Sequence, residues 1–255
     1  MSTPSPEAVR RLATGFDPDP ARSMSLRAEA YVDPSWHDVE VTGIFAQTWQ
    51  WICHVERLRD AGDYVTATVA GMPIMLVRGQ DGLLRGFYNV CKHRAHELLT
   101  GSGTTRSIVC PYHAWTYGLD GGLKAARRAD AMPGFAREDF CLTPVGVEVF
   151  GGFVYANLDP DAVPLASQAG DLAAEIAQWA PDVEQLTLVK RLNYEINANW
   201  KNVIDNFLEC YHCHIAHPEF VDLVDMDTYE VRTHGIWSSH FADAGTQENS
   251  AYDVA

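Results

Sequence analysis

Cys91-Lys92-His93 and Cys110-Pro111-Tyr112-His113 constrain this chain more than anything else in it. Any fold it adopts has to bring these two loops together if they are to act. Each offers one thiolate and one imidazole. A [2Fe–2S] cluster needs two protein ligands on each tetrahedral iron beyond the bridging sulfides. Two cysteines on one iron and two histidines on the other complete it. A structural Cys2His2 zinc uses the same ligand types, and buried structural Cys and His residues are a third reading. Zinc modules usually take CxxC knuckles, whereas strand-like sequence flanks both loops here, which favours the cluster. Neutral imidazoles leave such a cluster less negative than four thiolates, placing its potential at roughly −150 to +300 mV.

The strings CKHRAH and CPYHAWTYGLDG resemble the Rieske domain of soluble non-haem iron oxygenases. The resemblance implies a [2Fe–2S] cluster on Cys91, His93, Cys110 and His113. Respiratory Rieske proteins usually carry an extra, disulfide-bonded cysteine in each loop. Lys92, Arg94 and Tyr112 occupy these loops instead, which points to a soluble oxygenase. Ala95 and Ala114 stand where many relatives have glycine.

The 255 residues suffice for one large or two modest domains. Nineteen basic against 34 acidic residues give a net charge of −15, which repels nucleic acid and anionic membrane surfaces. Six cysteines without disulfide-framework spacing suit a reducing cytoplasm. The N-terminus lacks the apolar core of a secretory signal. No apolar run approaches the ~20 residues of a membrane helix. The expectation is a soluble, cytoplasmic protein.

Residues 1–33, rich in Pro, Ser and Asp, read as a loosely ordered arm. A helix is expected from Trp36, with Ser35 as N-cap and Val39, Ile44, Phe45 and Trp49 at mixed three- to five-residue steps. His54 reads as a satisfied core or edge residue. From Gly62 the pattern is β: Tyr64 to Val69, Ile74 to Val77, a turn at Gln80-Asp81-Gly82, another at Asp120-Gly121-Gly122, then alternating Val145, Val147 and Val149 and a last run at Gly152 to Tyr155. These delimit a small antiparallel domain over 41–158. Residues 159–170 read as a linker, and Leu172, Ala173, Ile176 and Trp179 as a helix face stopped by Pro181. Thr187 to Ile196 is a candidate strand.

The second motif is NWKNVIDNFLECYHCHIAHP over 199–218. Trp200, Val203, Ile204, Phe207, Leu208 and Tyr211 form an apolar helical stripe, expected to be core. Asp205, Glu209 and His212 share another face of that helix. His212 and His217 reach one metal only if the helix loosens near Ile215. His214 with His217 is an alternative pair, and Cys210, Cys213, His214 and His217 are an alternative zinc set. Both cysteines are otherwise expected to turn away from the metal, since a thiolate beside an O2-activating iron invites oxidation.

The spacing Glu-x-x-His-x-x-x-x-His is similar to the mononuclear-iron motif of the same oxygenases. The resemblance implies an α+β protein: an all-β Rieske domain, then an incomplete helix-grip catalytic domain of antiparallel sheet plus helices, formed with 1–40 by 159–255. It implies a non-haem Fe(II) held by His212 and His217 and a later carboxylate. That third ligand lies outside this sequence, which reads as a fragment; Asp222 or Asp225 is a local substitute. Glu209 is implied to bridge His212 to a Rieske histidine, His113, of a neighbouring subunit, and Asp205 is a further catalytic candidate. The implied assembly is a homotrimer served by a flavin/iron–sulfur reductase that draws on NAD(P)H. Within the family, CPYHAWTY and NFLECYHCHIAHP look most like the branch acting on glycine betaine, proline betaine, carnitine and choline. That implies hydroxylation of an N-methyl group by O2 and oxidative demethylation. An aromatic-ring dioxygenase, an aromatic O-demethylase and a Rieske electron carrier are the alternatives. A quaternary cation is held by aromatic faces, for which Phe207, Tyr211 and Trp237, with Tyr194 and Phe241, are candidates.

Overall fold

Alternation of apolar residues and tight turns builds one of the two units into which the chain divides. A computed structural model describes residues 6–245 except 13, 18 and 20. One unit comprises His37–Ser167 and Ala173–Arg191; the other comprises Gln168–Leu172 and the described parts of 6–36 and 192–245.

The first unit carries β1 (Gln50–His54), β2 (Asp63–Val69), β3 (Met72–Arg78), β4 (Leu84–Tyr88), β5 (Ser102–Thr104), β6 (Ile108–Val109), β7 (Thr116–Tyr117), β8 (Leu123–Ala125), β9 (Pro144–Phe150) and β10 (Phe153–Asn157). An antiparallel seven-stranded sheet runs in the order β1-β10-β9-β4-β3-β2-β5, and β6-β7-β8 form a smaller one. The Gly151-Gly152 pair turns β9 into β10 with φ of +55° and +81°, as a two-residue turn matched to strand twist requires. A Cβ on Gly151 would come within 2.7 Å of Ile176 Cδ1.

Strand β3 is buried on both faces. Ile74 and Leu76 pack with Ile52, Leu58 and Val154 on one side. Met75 and Val77 pack on the other with Ile108, Cys110, Trp115 and Tyr117. The second cluster is the floor under both ligand loops. His54 behaves as read: its Nε2 meets Val183 O at 2.7 Å, and its Nδ1 accepts from Glu56 N–H.

Several expectations need correction. The described part of 1–33 is not a loose arm: it holds helices Pro6–Leu12 and Glu29–Val32, tied by a bidentate Arg11–Glu29 pair at 3.0 Å. Asp33, not Ser35, caps the next helix, accepting from Ser35 N–H at 2.9 Å. That helix, Pro34–Glu40, widens into a π turn at Val41–Phe45, with Ala46 N–H donating to Val41 O. The widened turn accounts for the mixed apolar spacing. The linker holds a helical turn, Leu165–Gln168, whose first amides donate to Glu148. Thr187 to Ile196 is not a strand: no described strand pairs with it, and Val189 and Tyr194 are exposed. Its Leu188 N–H donates to the Glu56 carboxylate at 3.1 Å rather than to a neighbouring strand.

The second unit combines short helices with the hairpin β11 (Glu230–His234) and β12 (Trp237–Phe241). Among the described residues no helix is long and apolar enough to cross a membrane.

Candidate metal centres

Both ligand loops are built as the same turn. Ala95 N–H donates to Cys91 O and Ala114 N–H to Cys110 O, each at 2.9 Å. Cys91 N–H then pairs with His96 O, and Cys110 N–H with Trp115 O. The turns close only because Ala95 and Ala114 adopt φ of +55° and +58°, a region where a Cβ is strained. A glycine at either position would relax that geometry.

Cys91 and Cys110 are 2% exposed and unpaired. The rings of His93 and His113 lie 4.8 Å apart at the surface end of the loops. Trp115 stacks flat on His93 at 4.9 Å. Desolvation, then the neighbouring His113 and Arg94 charges, lower the pKa of His93, which favours the neutral imidazole a metal takes. Buried Tyr117 reaches across from β7, accepting from Lys92 N–H at 3.0 Å and lying 3.4 Å from Cys91 Sγ. Its burial, and then that contact, raise the phenol pKa. Fully buried Asn89 braces the return of the first loop through Leu98 N–H, Leu99 N–H and Leu99 O. Tyr117 and Asn89 escaped the sequence reading, because neither residue type is a ligand.

Two free buried thiols beside two imidazoles on paired turns suit a [2Fe–2S] group. Among the described residues no three His, Cys, Asp or Glu side chains converge as a single ion would need, and a binuclear group taking two protein ligands per iron does not need three.

The second motif departs from one continuous helix. Asn199 caps helix Trp200–Phe207, which stops at Leu208, so Glu209 and His212 lie beyond it. Helix Cys213–Ala216 ends at His217, and Pro218 opens the next turn. The chain therefore breaks before His212 rather than near Ile215. His212 and His217 end with rings 5.2 Å apart. His212 Nδ1 lies 2.6 Å from Glu209 Oε1. Donating that proton leaves the Nε2 lone pair as the ligating position. Glu209 also accepts from Tyr211 N–H, and these hydrogen bonds, His212 foremost, lower its pKa.

A cavity of about 920 Å³ holds Glu209, His212 and His217 together with Phe207, Phe220 and Tyr229 on its wall. Other sequence candidates fall elsewhere. Asp205 takes a 2.6 Å hydrogen bond from Tyr31 and does not share a helix face with Glu209. His214, Asp222 and Asp225 do not line this cavity; Asp225 Oδ1 accepts from Asp227 N–H. Cys210 and Cys213 line it rather than turning away, and are joined as a disulfide; joined sulfurs cannot serve the alternative zinc set. Tyr211 is 97% exposed, and Trp237 donates to Ala169 O and stacks on His234; neither lines the cavity. Phe207 and Phe241 do. The apolar stripe is not core: Phe207 is 77% exposed, and Val203 and Ile204 are more than two-fifths exposed. No described segment covers that face.

A β domain with twin Cys/His turns, joined in sequence to a helical segment with a carboxylate-braced histidine pair, defines a Rieske iron–sulfur protein with a second metal-binding unit. Residues 48–136 match the Rieske [2Fe–2S] domain model, and 183–252 match the ring-hydroxylating alpha subunit catalytic domain. The chain is 41% identical over 251 residues to the carnitine monooxygenase oxygenase subunit of Escherichia coli (strain K12), covering 98% of this chain and 67% of that protein. It is 30% identical over 266 residues to the chloroplastic choline monooxygenase of Atriplex hortensis, covering 97% and 60%. The crystal structure of the quaternary ammonium Rieske monooxygenase CntA with an inhibitor matches with a TM-score of 0.81 at 41% identity, over 86% of this chain and 61% of that one. The chain belongs to the Rieske oxygenase α-subunit family, whose cofactors are a [2Fe–2S] cluster and a mononuclear iron. It spans about three-fifths to two-thirds of the length of these relatives.

Proposed function

We propose that this chain belongs to the terminal oxygenase component of a monooxygenase that hydroxylates an N-methyl group of a quaternary ammonium compound and thereby demethylates it. O2 is the co-substrate, and electrons come from NAD(P)H through a separate flavin/iron–sulfur reductase. The observation that carries this reading is the braced pair His212–His217 set in an aromatic-walled cavity, in a chain similar from end to end to carnitine and choline monooxygenases.

Cys91, Cys110, His93 and His113 would hold the [2Fe–2S] group, and His212 and His217 the iron, completed by a carboxylate from outside this sequence. When bound, the cluster supplies a one-electron relay and the iron a place to activate O2. The remaining work falls to the protein. Buried thiols keep water from the sulfur side, while the histidine edges stay at the surface. Glu209 accepts a hydrogen bond from His212 Nδ1–H and so fixes which nitrogen faces the cavity. In a homotrimer the same carboxylate would reach His113 of a neighbouring copy. A quaternary nitrogen has no N–H to donate, so aromatic faces such as Phe207 and Phe220 hold it, at about 0.5–2 kcal/mol each.

Incubating the reductase-coupled enzyme with carnitine, glycine betaine and choline, and separately with aromatic acids, tests the reading. Formaldehyde from the onium substrates is expected. Ring diols, or demethylated phenols from methoxyaromatics, would overturn it. Trimethylamine without formaldehyde would move the oxidised carbon off the methyl group.

A further inference from the structure

The segment that carries the histidine pair has little packing to hold it. Tyr211 is 97% and Ile215 90% exposed. On the facing wall, the Tyr229 hydroxyl and His240 Nδ1 are hydrogen-bonded to each other rather than to the pair. What orders the segment is local. Cys210 and Cys213 are joined, with Cα atoms 5.0 Å apart, inside the span a bridge allows. The ring so closed contains Tyr211 and His212, and Glu209 stands immediately before it. Glu209 reaches into the ring twice, accepting from Tyr211 N–H and from His212 Nδ1–H. Cys213 N–H donates to Cys210 O at 3.1 Å, and His217 N–H donates to Cys213 O at 2.9 Å. One covalent link thus ties the bracing carboxylate to both histidines, and both sulfurs line the cavity that the histidines line.

Opening that link has a geometric consequence. Two thiols cannot stay at bonding distance, so their sulfurs separate to van der Waals contact and the ring relaxes. Cys213 is 4% exposed, whereas Cys210 is only half-buried. The movement therefore falls on the Cys210 side, which carries Glu209. Cys210 is also the sulfur that an outside thiolate can reach. Cys-x-x-Cys is a spacing used for reversible thiol–disulfide exchange, and no other described cysteine lines this cavity to compete in it.

We propose that Cys210–Cys213 is a thiol–disulfide switch that sets how tightly the histidine pair holds its iron. The proposal rests on the reading of His212 and His217 as iron ligands. Closed, the ring keeps Glu209 against His212 and the two imidazoles 5.2 Å apart. Open, the brace loosens and the metal is held less tightly. The reductant is a dithiol. One of its thiolates attacks Cys210 Sγ and breaks the bond to Cys213, which leaves as a thiolate and takes a proton. The second thiol of the reductant then attacks the mixed disulfide and releases Cys210 as a thiol. The protein gains two electrons and two protons, and the reductant ends as a cyclic disulfide. Closure by glutathione disulfide passes through the same mixed disulfide at Cys210 and releases two glutathione thiols.

The test equilibrates the holoenzyme anaerobically in dithiothreitol and glutathione buffers of stepped thiol-to-disulfide ratio. Iodoacetamide trapping and peptide mass read the state of Cys210 and Cys213. After the buffer is removed, competition with a chelator gives the ferrous-iron dissociation constant of each state. The pair should interconvert as a two-electron couple. Iron should bind at least about 10-fold more weakly to the open state, the lower end of what losing an orienting contact costs a metal site. Cys210→Ser and Cys213→Ser should each keep the weak value at every ratio. Unchanged cluster absorption in every sample establishes that Cys91 and Cys110 are untouched. A pair that never changes state across the buffers, or equal iron affinity in the two states, overturns the switch. His212→Ala tells the two failures apart. If it abolishes iron binding while the two redox states bind equally, the switch alone fails; if it leaves iron binding intact, the ligand reading fails and the switch with it.

Discussion

The two candidate centres in this chain are made by opposite means. The Cys91/His93 and Cys110/His113 turns stand on a floor of fully buried residues, Met75, Ile108 and Tyr117 among them. Each thiol is sealed, and each loop is held by side chains from elsewhere in the β unit. The His212/His217 pair sits on four-residue helices, with Ile215 between the two histidines 90% exposed. Its order comes from one carboxylate and the Cys210–Cys213 disulfide rather than from a core. The lesson is that a relay centre can be preformed by packing within a single β unit. The histidine pair in this chain rests instead on a few local contacts around a cavity.

The contrast is open to direct attack, beginning with the largest effect. Ile108→Ala should destabilise the β unit by about 2–5 kcal/mol, as for other buried Ile truncations, whereas Ile215→Ala should stay within about 0.5 kcal/mol. Chemical denaturation of both reads the difference, and equal losses would erase the distinction. Next in size, Glu209→Gln should lower iron occupancy or turnover by about 10- to 100-fold, the usual effect of removing a carboxylate that orients a ligating histidine. Cluster absorption should be unchanged.

Tyr117→Phe addresses the other centre. A thiolate can only accept from the phenol, and it does so more strongly when the cluster is reduced, so losing that bond of about 1 kcal/mol should lower the cluster's potential by up to about 40 mV in a one-electron titration. Smaller still, Ala95→Gly and Ala114→Gly each remove strain of about 1–2 kcal/mol. Part of that gain is offset by about 0.4–1 kcal/mol of added unfolded-state freedom. Thermal unfolding should therefore rise slightly with either.

The least effect concerns acid. Arg85 holds Asp81 through two hydrogen bonds at 2.8 and 2.7 Å, and Asp81 titrates below its ordinary range for that reason first. A depressed carboxylate contributes stability above its unfolded pKa, near pH 4, and loses it as pH falls through the folded value. Asp81→Asn should flatten the decline of melting temperature below about pH 4 by slightly lowering the neutral-pH value while leaving the acid value almost unchanged, as expected for an exposed pair.

Much of the β unit was legible because period-two alternation and turn pairs such as Asp81-Gly82 are local signals. The ligand types and spacing of 91–113 were legible for the same reason. The parts that were not legible depend on distant partners. Whether Thr187 to Ile196 forms a strand turns on a neighbour to pair with, and none of the described residues supplies it. The stripe from Trp200 to Tyr211 has helical periodicity, but periodicity does not say what covers it, nor that the helix stops at Leu208. Tyr229 and His240 were invisible because hairpin β11–β12 brings them together only in three dimensions. Asp33 rather than Ser35 caps its helix because both are good cap residues and the choice depends on backbone angles.

The twin turns carry one further consequence. Their backbones are duplicates, yet the imidazole enters at the third place after opening at Cys91 and at the fourth after opening at Cys110. That offset of one residue denies the cradle a two-fold axis, so its halves are not interchangeable. A chain in which segments 91–95 and 110–114 traded places would still close both loops. It would, however, present the wrong ring to the indole that flanks the first loop, and the cradle would lose its handedness.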